Sequence, residues 1–236
     1  MNEALCREAA MAMIDLRHAD WNKPGTPCVN IVESPSPADL LAECQEGVAL
    51  HAALRQAHIP CRYYLATNKE TFGRALQLIA AQRRFAQHQP ITLHISCHGN
   101  NERIGLTSSE HFTWDQLRLA LIDFGLQSCA YLEKEKVSTL ILCMSTCFGL
   151  FAHQMSEMGQ RPFMTLVAPG HAVSWSDSLV AFLTFYNLFL LKNKPCGDAV
   201  RAMNTAAGES DLFLVADFSE EVKAWVASQS AQSSNK

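Results

Sequence analysis

The stretch Ile91-Thr-Leu-His-Ile-Ser-Cys-His98-Gly99-Asn100 is an apolar run that stops abruptly at His-Gly. About fifty residues on, Ser138-Thr-Leu-Ile-Leu-Cys-Met-Ser-Thr-Cys147-Phe-Gly149 repeats the form with a cysteine at its end. Short apolar runs closed by turn residues read as buried strands. If these two lie side by side and parallel, His98 and Cys147 emerge at the same edge of one sheet. A nucleophile and its base would then sit together where a ligand can reach them.

The flanking segments support that arrangement. A strand over Cys28–Val32 is closed by Glu33-Ser-Pro-Ser-Pro37, where Ser36 suits a helix N-cap, with Pro37 and Asp39 in the first turn. A helix is expected over Leu40–Ala57, a strand over Cys61–Ala66 and a helix over Asn68–Phe85 capped by Thr67 or Asn68. After the His98 strand, Gly105–Phe112 reads as a small hairpin, and Thr113 opens a helix to about Phe124. After Cys147 come a helix over Phe148–Met158, a strand over Phe163–Pro169, and helices over Asp177–Leu191 and Pro195–Ala207. A strand over Phe213–Ala216 and a short helix over Glu220–Ala227 close the order. Strands that alternate with helices and are apolar throughout predict an α/β fold of three layers, a mostly parallel sheet with helices on both faces. Right-handed crossovers put the carboxyl end of every parallel strand at one edge, where such sheets bind ligands.

Composition bounds the remaining choices. The chain has 236 residues, 48% of them hydrophobic and 18% charged, enough for one large domain with a full core. We expect a helical extension over 1–24, one domain over 25–227, and a polar disordered tail over 228–236. A net charge of −4 and the lack of a basic tail argue against nucleic acid as a partner. The N-terminus has neither a basic nor an apolar signal region, and Leu179–Leu191 is too short to span a bilayer. A cytoplasmic protein without a membrane partner is the expectation. Nine cysteines is an odd number, and Cys28, Cys61, Cys97 and Cys143 fall inside apolar strands, which fits buried thiols in a reducing compartment. Cys143 and Cys147 would share a face of one strand, but a zinc site needs two further ligands, so no metal or other cofactor is expected.

With the order of elements in place, His98-Gly99 and Met144-Ser-Thr-Cys147 resemble the His-Gly and small-small-Cys motifs of the caspase-like cysteine peptidases, the clan of caspases, metacaspases and separase. The chain is most similar to the CHAT branch of that clan. Ala168-Pro-Gly-His-Ala-Val-Ser-Trp-Ser-Asp177, Phe182-Leu-Thr-Phe-Tyr186 and Cys196-Gly-Asp-Ala-Val-Arg-Ala202 resemble the segment that follows the cysteine there. The similarity runs from about Cys28 to Gly208, and the His-to-Cys spacing matches that of caspases. The caspase Gln-Ala before the cysteine is missing. Ser145 stands where metacaspases carry an acidic residue.

The resemblance implies a cysteine endopeptidase with Cys147 as nucleophile and His98 as base and acid. The backbone N–H groups of Gly99 and Cys147 are then expected to form the oxyanion hole. The dipole of the helix after Cys147 would favour a thiolate. The specificity pocket of this fold points to Glu33, Ser145, Ser174 and Asp177, and the two carboxylates could favour a basic P1 residue; both also suit helix caps. His94, Cys97 and Cys143 read as core residues, and His171 as a loop histidine near the active edge. The expected partners are a protein or peptide substrate and a regulatory protein that supplies the sensor, as in bacterial stress or antiphage defence modules. A homodimer through an edge strand stays open. The alternative is a catalytically silent scaffold of the same fold.

Overall fold

A computed structural model of the chain describes residues 28–83, 91–128, 131–132, 137–157 and 160–217. The expected leading helix, the helix over 220–227 and the tail lie outside the described residues. The elements run β1 (Val29–Ser34), α1 (Pro37–Leu41), α2 (Glu46–Gln56), β2 (Cys61–Leu65), α3 (Lys69–Arg83) and β3 (Ile91–Cys97). A hairpin of β4 (Arg103–Gly105) and β5 (His111–Thr113) leads into α4 (Trp114–Gln127). The short pair β6 (Tyr131–Leu132) and β7 (Val137–Ser138) precedes β8 (Leu140–Ser145) and a 3₁₀ helix, Gly149–Ser156. Then come β9 (Thr165–Pro169), α5 (Trp175–Tyr186), a π-helical turn Asn187–Leu191, α6 (Cys196–Ala206) and β10 (Phe213–Asp217).

Six strands form one sheet in the order β10-β9-β8-β3-β1-β2. All neighbours pair in parallel except β9 and β10, which close one side as an antiparallel edge. The period of two along each strand sorts side chains into two layers. From β8, Leu140, Leu142 and Met144 join Phe72, Leu76 and Ile79 of α3 and Leu117, Leu121 and Phe124 of α4. Ile141 and Cys143 face the other way, into Leu50 and Leu54 of α2, Phe182, Phe185 and Tyr186 of α5, and Met203 of α6. Each fully buried Leu or Phe stabilises the fold by about 1.5–3 kcal/mol, so both layers are needed to hold the sheet.

Three expected elements take a different form. The helix expected over Leu40–Ala57 is two helices, broken where Glu43 adopts a left-handed φ of 55°. The break has a tertiary cause. The Glu33 carboxylate accepts the Gly47 N–H at 2.6 Å, which fixes where α2 begins. A Cβ at Gly47 would lie 2.9 Å from Glu33 Cδ, so a larger residue would have to push the Glu33 side chain aside. The helix expected from Phe148 is a 3₁₀ helix that starts at Gly149, with Phe148 left-handed at φ 59°. Cys143 and Cys147 do not share a strand face either. β8 ends at Ser145, so Cys143 is buried in a layer while Cys147 sits in the turn beyond.

Candidate active site

The register decides what meets at the sheet edge. Ser96 of β3 pairs with Ser145 of β8, so His98 and Cys147 stand two residues past the same rung of adjacent central strands. Past that rung the two chain ends are pressed together at Gly99. A Cβ on Gly99 would lie 2.3 Å from Thr146 Cγ2 and 3.3 Å from the Cys147 carbonyl oxygen. Cys97 Sγ and Thr146 Oγ1, 3.4 Å apart, tie the strands one residue deeper. On its other side the His98 carbonyl accepts the Gly105 N–H at 2.8 Å, and Asn100 Oδ1 accepts the N–H groups of Glu102 and Arg103. The His-Gly turn is therefore braced by the β4–β5 hairpin.

Cys147 is partly exposed, and its sulfur accepts the Val173 N–H at 3.4 Å from the loop after β9. That contact fixes the direction of the thiol. The Phe148 N–H goes to the His171 carbonyl and the Gly149 N–H to the Thr146 carbonyl. No backbone acceptor among the described residues takes the N–H of Gly99 or of Cys147. His171 itself is exposed in that loop.

His98 is half exposed, and its Nε2 lies 2.6 Å from Asp39 Oδ2. Asp39 occupies the third position of α1, in the capping box that Ser36 closes from both sides. Burial pushes the Asp39 carboxyl up. Hydrogen bonds from the Ser36 hydroxyl, the His98 ring, the Ser36 N–H and the Trp175 indole outweigh it and hold it down at about 2. The Trp175 indole N–H reaches Asp39 Oδ1 at 3.3 Å, and its ring meets His98 edge-on at 5.2 Å between centroids. Neither Asp39 nor Trp175 stands out in the sequence as a site residue. One looks like an ordinary first-turn acid, the other like the start of a helix.

The residues expected to line a specificity pocket take these places. Glu33 is buried, accepts the Gly47 N–H and the Tyr63 hydroxyl, and has its carboxyl pushed up by burial. Ser145 is buried, donates to Glu46 Oε1 at 3.1 Å and lies 3.0 Å from His94 Nε2. Ser174 caps α5 by accepting the Asp177 N–H, and its hydroxyl donates back to Asp177 at 2.6 Å. Their work in the structure is to start α5 at Trp175. His94 is buried among Tyr186, Phe182, Ser145 and Glu46. Cys97 is buried too, its thiol pushed up to about 12 by desolvation. Among the described residues no helix is long and apolar enough to cross a membrane.

A mostly parallel six-stranded sheet between two helical layers, with one antiparallel edge strand, is the caspase-like fold. The solved structure of the Drosophila initiator caspase Dronc matches 84% of this chain and 82% of its own, with a TM-score of 0.51 and 9% sequence identity. Neither a protein-family model nor a curated protein sequence matches the chain.

Proposed function

We propose that this chain is a cysteine endopeptidase that works through Cys147 and His98. One observation carries the reading: β3 and β8 are adjacent and in register, so a partly exposed thiol and a half-exposed imidazole leave the same rung of the central sheet. The caspase-like fold supports it, because this edge is where parallel sheets take ligands.

In this mechanism Cys147 Sγ bonds to the scissile carbonyl carbon while His98 takes the thiol proton. The carbonyl oxygen becomes an oxyanion held by the Gly99 and Cys147 N–H groups, and that neither has a backbone acceptor among the described residues supports the assignment. The C–N bond then breaks, His98 protonates the departing amine, and a thioester remains. Water loses a proton to His98 and attacks the thioester, releasing the acid and restoring the thiol.

The test is labelling with a peptide that carries an electrophilic carbonyl. The expected result is a single adduct on Cys147, abolished by Cys147→Ala and strongly reduced by His98→Ala. Labelling unchanged by His98→Ala would overturn the reading. The resemblance to the CHAT branch supports a further part of the proposal, that a partner or ligand-sensing protein gates the enzyme in a bacterial stress or antiphage defence system. Broad, unregulated cleavage of proteins by the purified chain alone would count against that gating.

A further inference from the structure

We infer that Asp39 is the positioning residue of this site, orienting His98 and stabilising its protonated form; the inference rests on the cysteine peptidase reading above. The geometry is direct, with His98 Nε2 2.6 Å from a carboxylate oxygen. A hydrogen bond of that length to a charged acceptor is stronger than a neutral one and fixes the tautomer of the ring. With the Nε2 hydrogen committed to Asp39, proton exchange with Cys147 falls to Nδ1. When that nitrogen takes the thiol proton, the positive ring is already paired with a negative charge.

Asp39 is built to hold that place. Oδ2 accepts the Ser36 N–H at 2.9 Å and the Ser36 hydroxyl at 2.5 Å, while Oδ1 accepts the Trp175 indole. Trp175 also stands edge-on to the His98 ring, so one side chain steadies both members of the pair. The plain rival is that Asp39 only caps a helix. That helix has five residues, none of them buried, so a cap there secures little of the core. A capping box also needs only the reach back to Ser36. It explains neither the contact with His98 nor the indole on the second oxygen.

The experiment follows alkylation of Cys147 by iodoacetamide against pH, read site by site by mass spectrometry on the full chain. It needs no substrate and no activating partner. Asp39→Asn keeps an acceptor for the capping box but removes the charge. The expected result is a slowing at neutral pH of about tenfold, the equivalent of one pH unit, with the whole profile displaced to higher pH. Asp39→Glu should recover part of the loss. A profile for Asp39→Asn that overlays the wild type, while His98→Ala is displaced, would overturn the inference and leave the dyad standing. If neither variant moves the profile, the dyad itself fails and Asp39 with it. Should Asp39→Asn not fold, Asp39→Ser also removes the charge while keeping a short polar side chain beside the cap, and should shift the profile in the same direction by about tenfold in rate. No shift there would count as refutation.

Discussion

His94 and His98 lie four residues apart along one strand and its exit, and each faces a carboxylate. They share almost nothing else. His94 is fully buried, with Nδ1 2.9 Å from the Tyr186 hydroxyl, Nε2 3.0 Å from Ser145 Oγ, and Glu46 Oε2 at 3.5 Å. The side chain of His98 is 51% exposed, and its Nε2 meets Asp39 Oδ2. In the first pair both ring nitrogens are committed to neighbours inside the protein, and breaking the set would orphan buried polar groups at a cost of roughly 1–3 kcal/mol each. In the second, Nε2 is fixed by Asp39 on a ring that stays half exposed. A histidine–carboxylate pair is thus structure or candidate chemistry according to how far along the strand it sits.

The largest effect that would sharpen this contrast is on turnover. His98→Ala should reduce peptide cleavage per folded molecule by about 10²- to 10⁴-fold, with the midpoint of thermal unfolding nearly unchanged. His94→Ala should do the reverse, costing about 3–5 kcal/mol of stability in a urea titration with smaller loss of rate per folded molecule. A His94→Ala protein that stays stable but loses all turnover would break the division. Gly99→Ala comes next. Its Cβ would enter the space of Thr146 Cγ2, and a loss of about 1–3 kcal/mol is expected in the same titration.

The smallest effect concerns acid. The folded Asp39 carboxyl titrates at about 2 against an ordinary 3.8, so its stabilising contribution is complete above pH ~4 and is lost as pH falls toward 2. The raised carboxyl of Glu33 runs the other way, favouring the folded state at low pH and losing that favour as pH rises. Wild type minus Asp39→Asn isolates the first group. That difference in unfolding free energy should shrink steadily as pH falls from 4 to 2, and a flat difference would show that the bonds Asp39 accepts from Ser36, His98 and Trp175 add nothing to stability through its charge.

Much of the sheet was legible because each central strand is apolar on both faces and ends in turn residues, a pattern that belongs to buried parallel strands. That His98 and Cys147 leave one sheet edge was expected only if their strands lie side by side and parallel, and β3 and β8 do. What could not be read came from contacts made across the fold. The break between α1 and α2 depends on Glu33 reaching Gly47, and nothing in the apolar rhythm of residues 40–57 announces it. Glu33 and Ser145 look like pocket residues from their strand positions. Their partners Tyr63, Gly47, Glu46 and His94 hold them from three other segments, β2, α2 and β3. Asp39 and Trp175 are separated by 136 positions, and each taken singly is an unremarked helix-start residue.

That separation has a consequence for how the molecule comes into being. The groups around His98 arrive from residues 36–39, from β3, and from the first turn of α5, so a growing chain already carries the histidine and Cys147 long before Trp175 is made. A fragment released early would hold both side chains without the indole that braces Asp39. The arrangement thus reports on its own completion: it exists only once α1, β3 and the first turn of α5 have all been made and brought together.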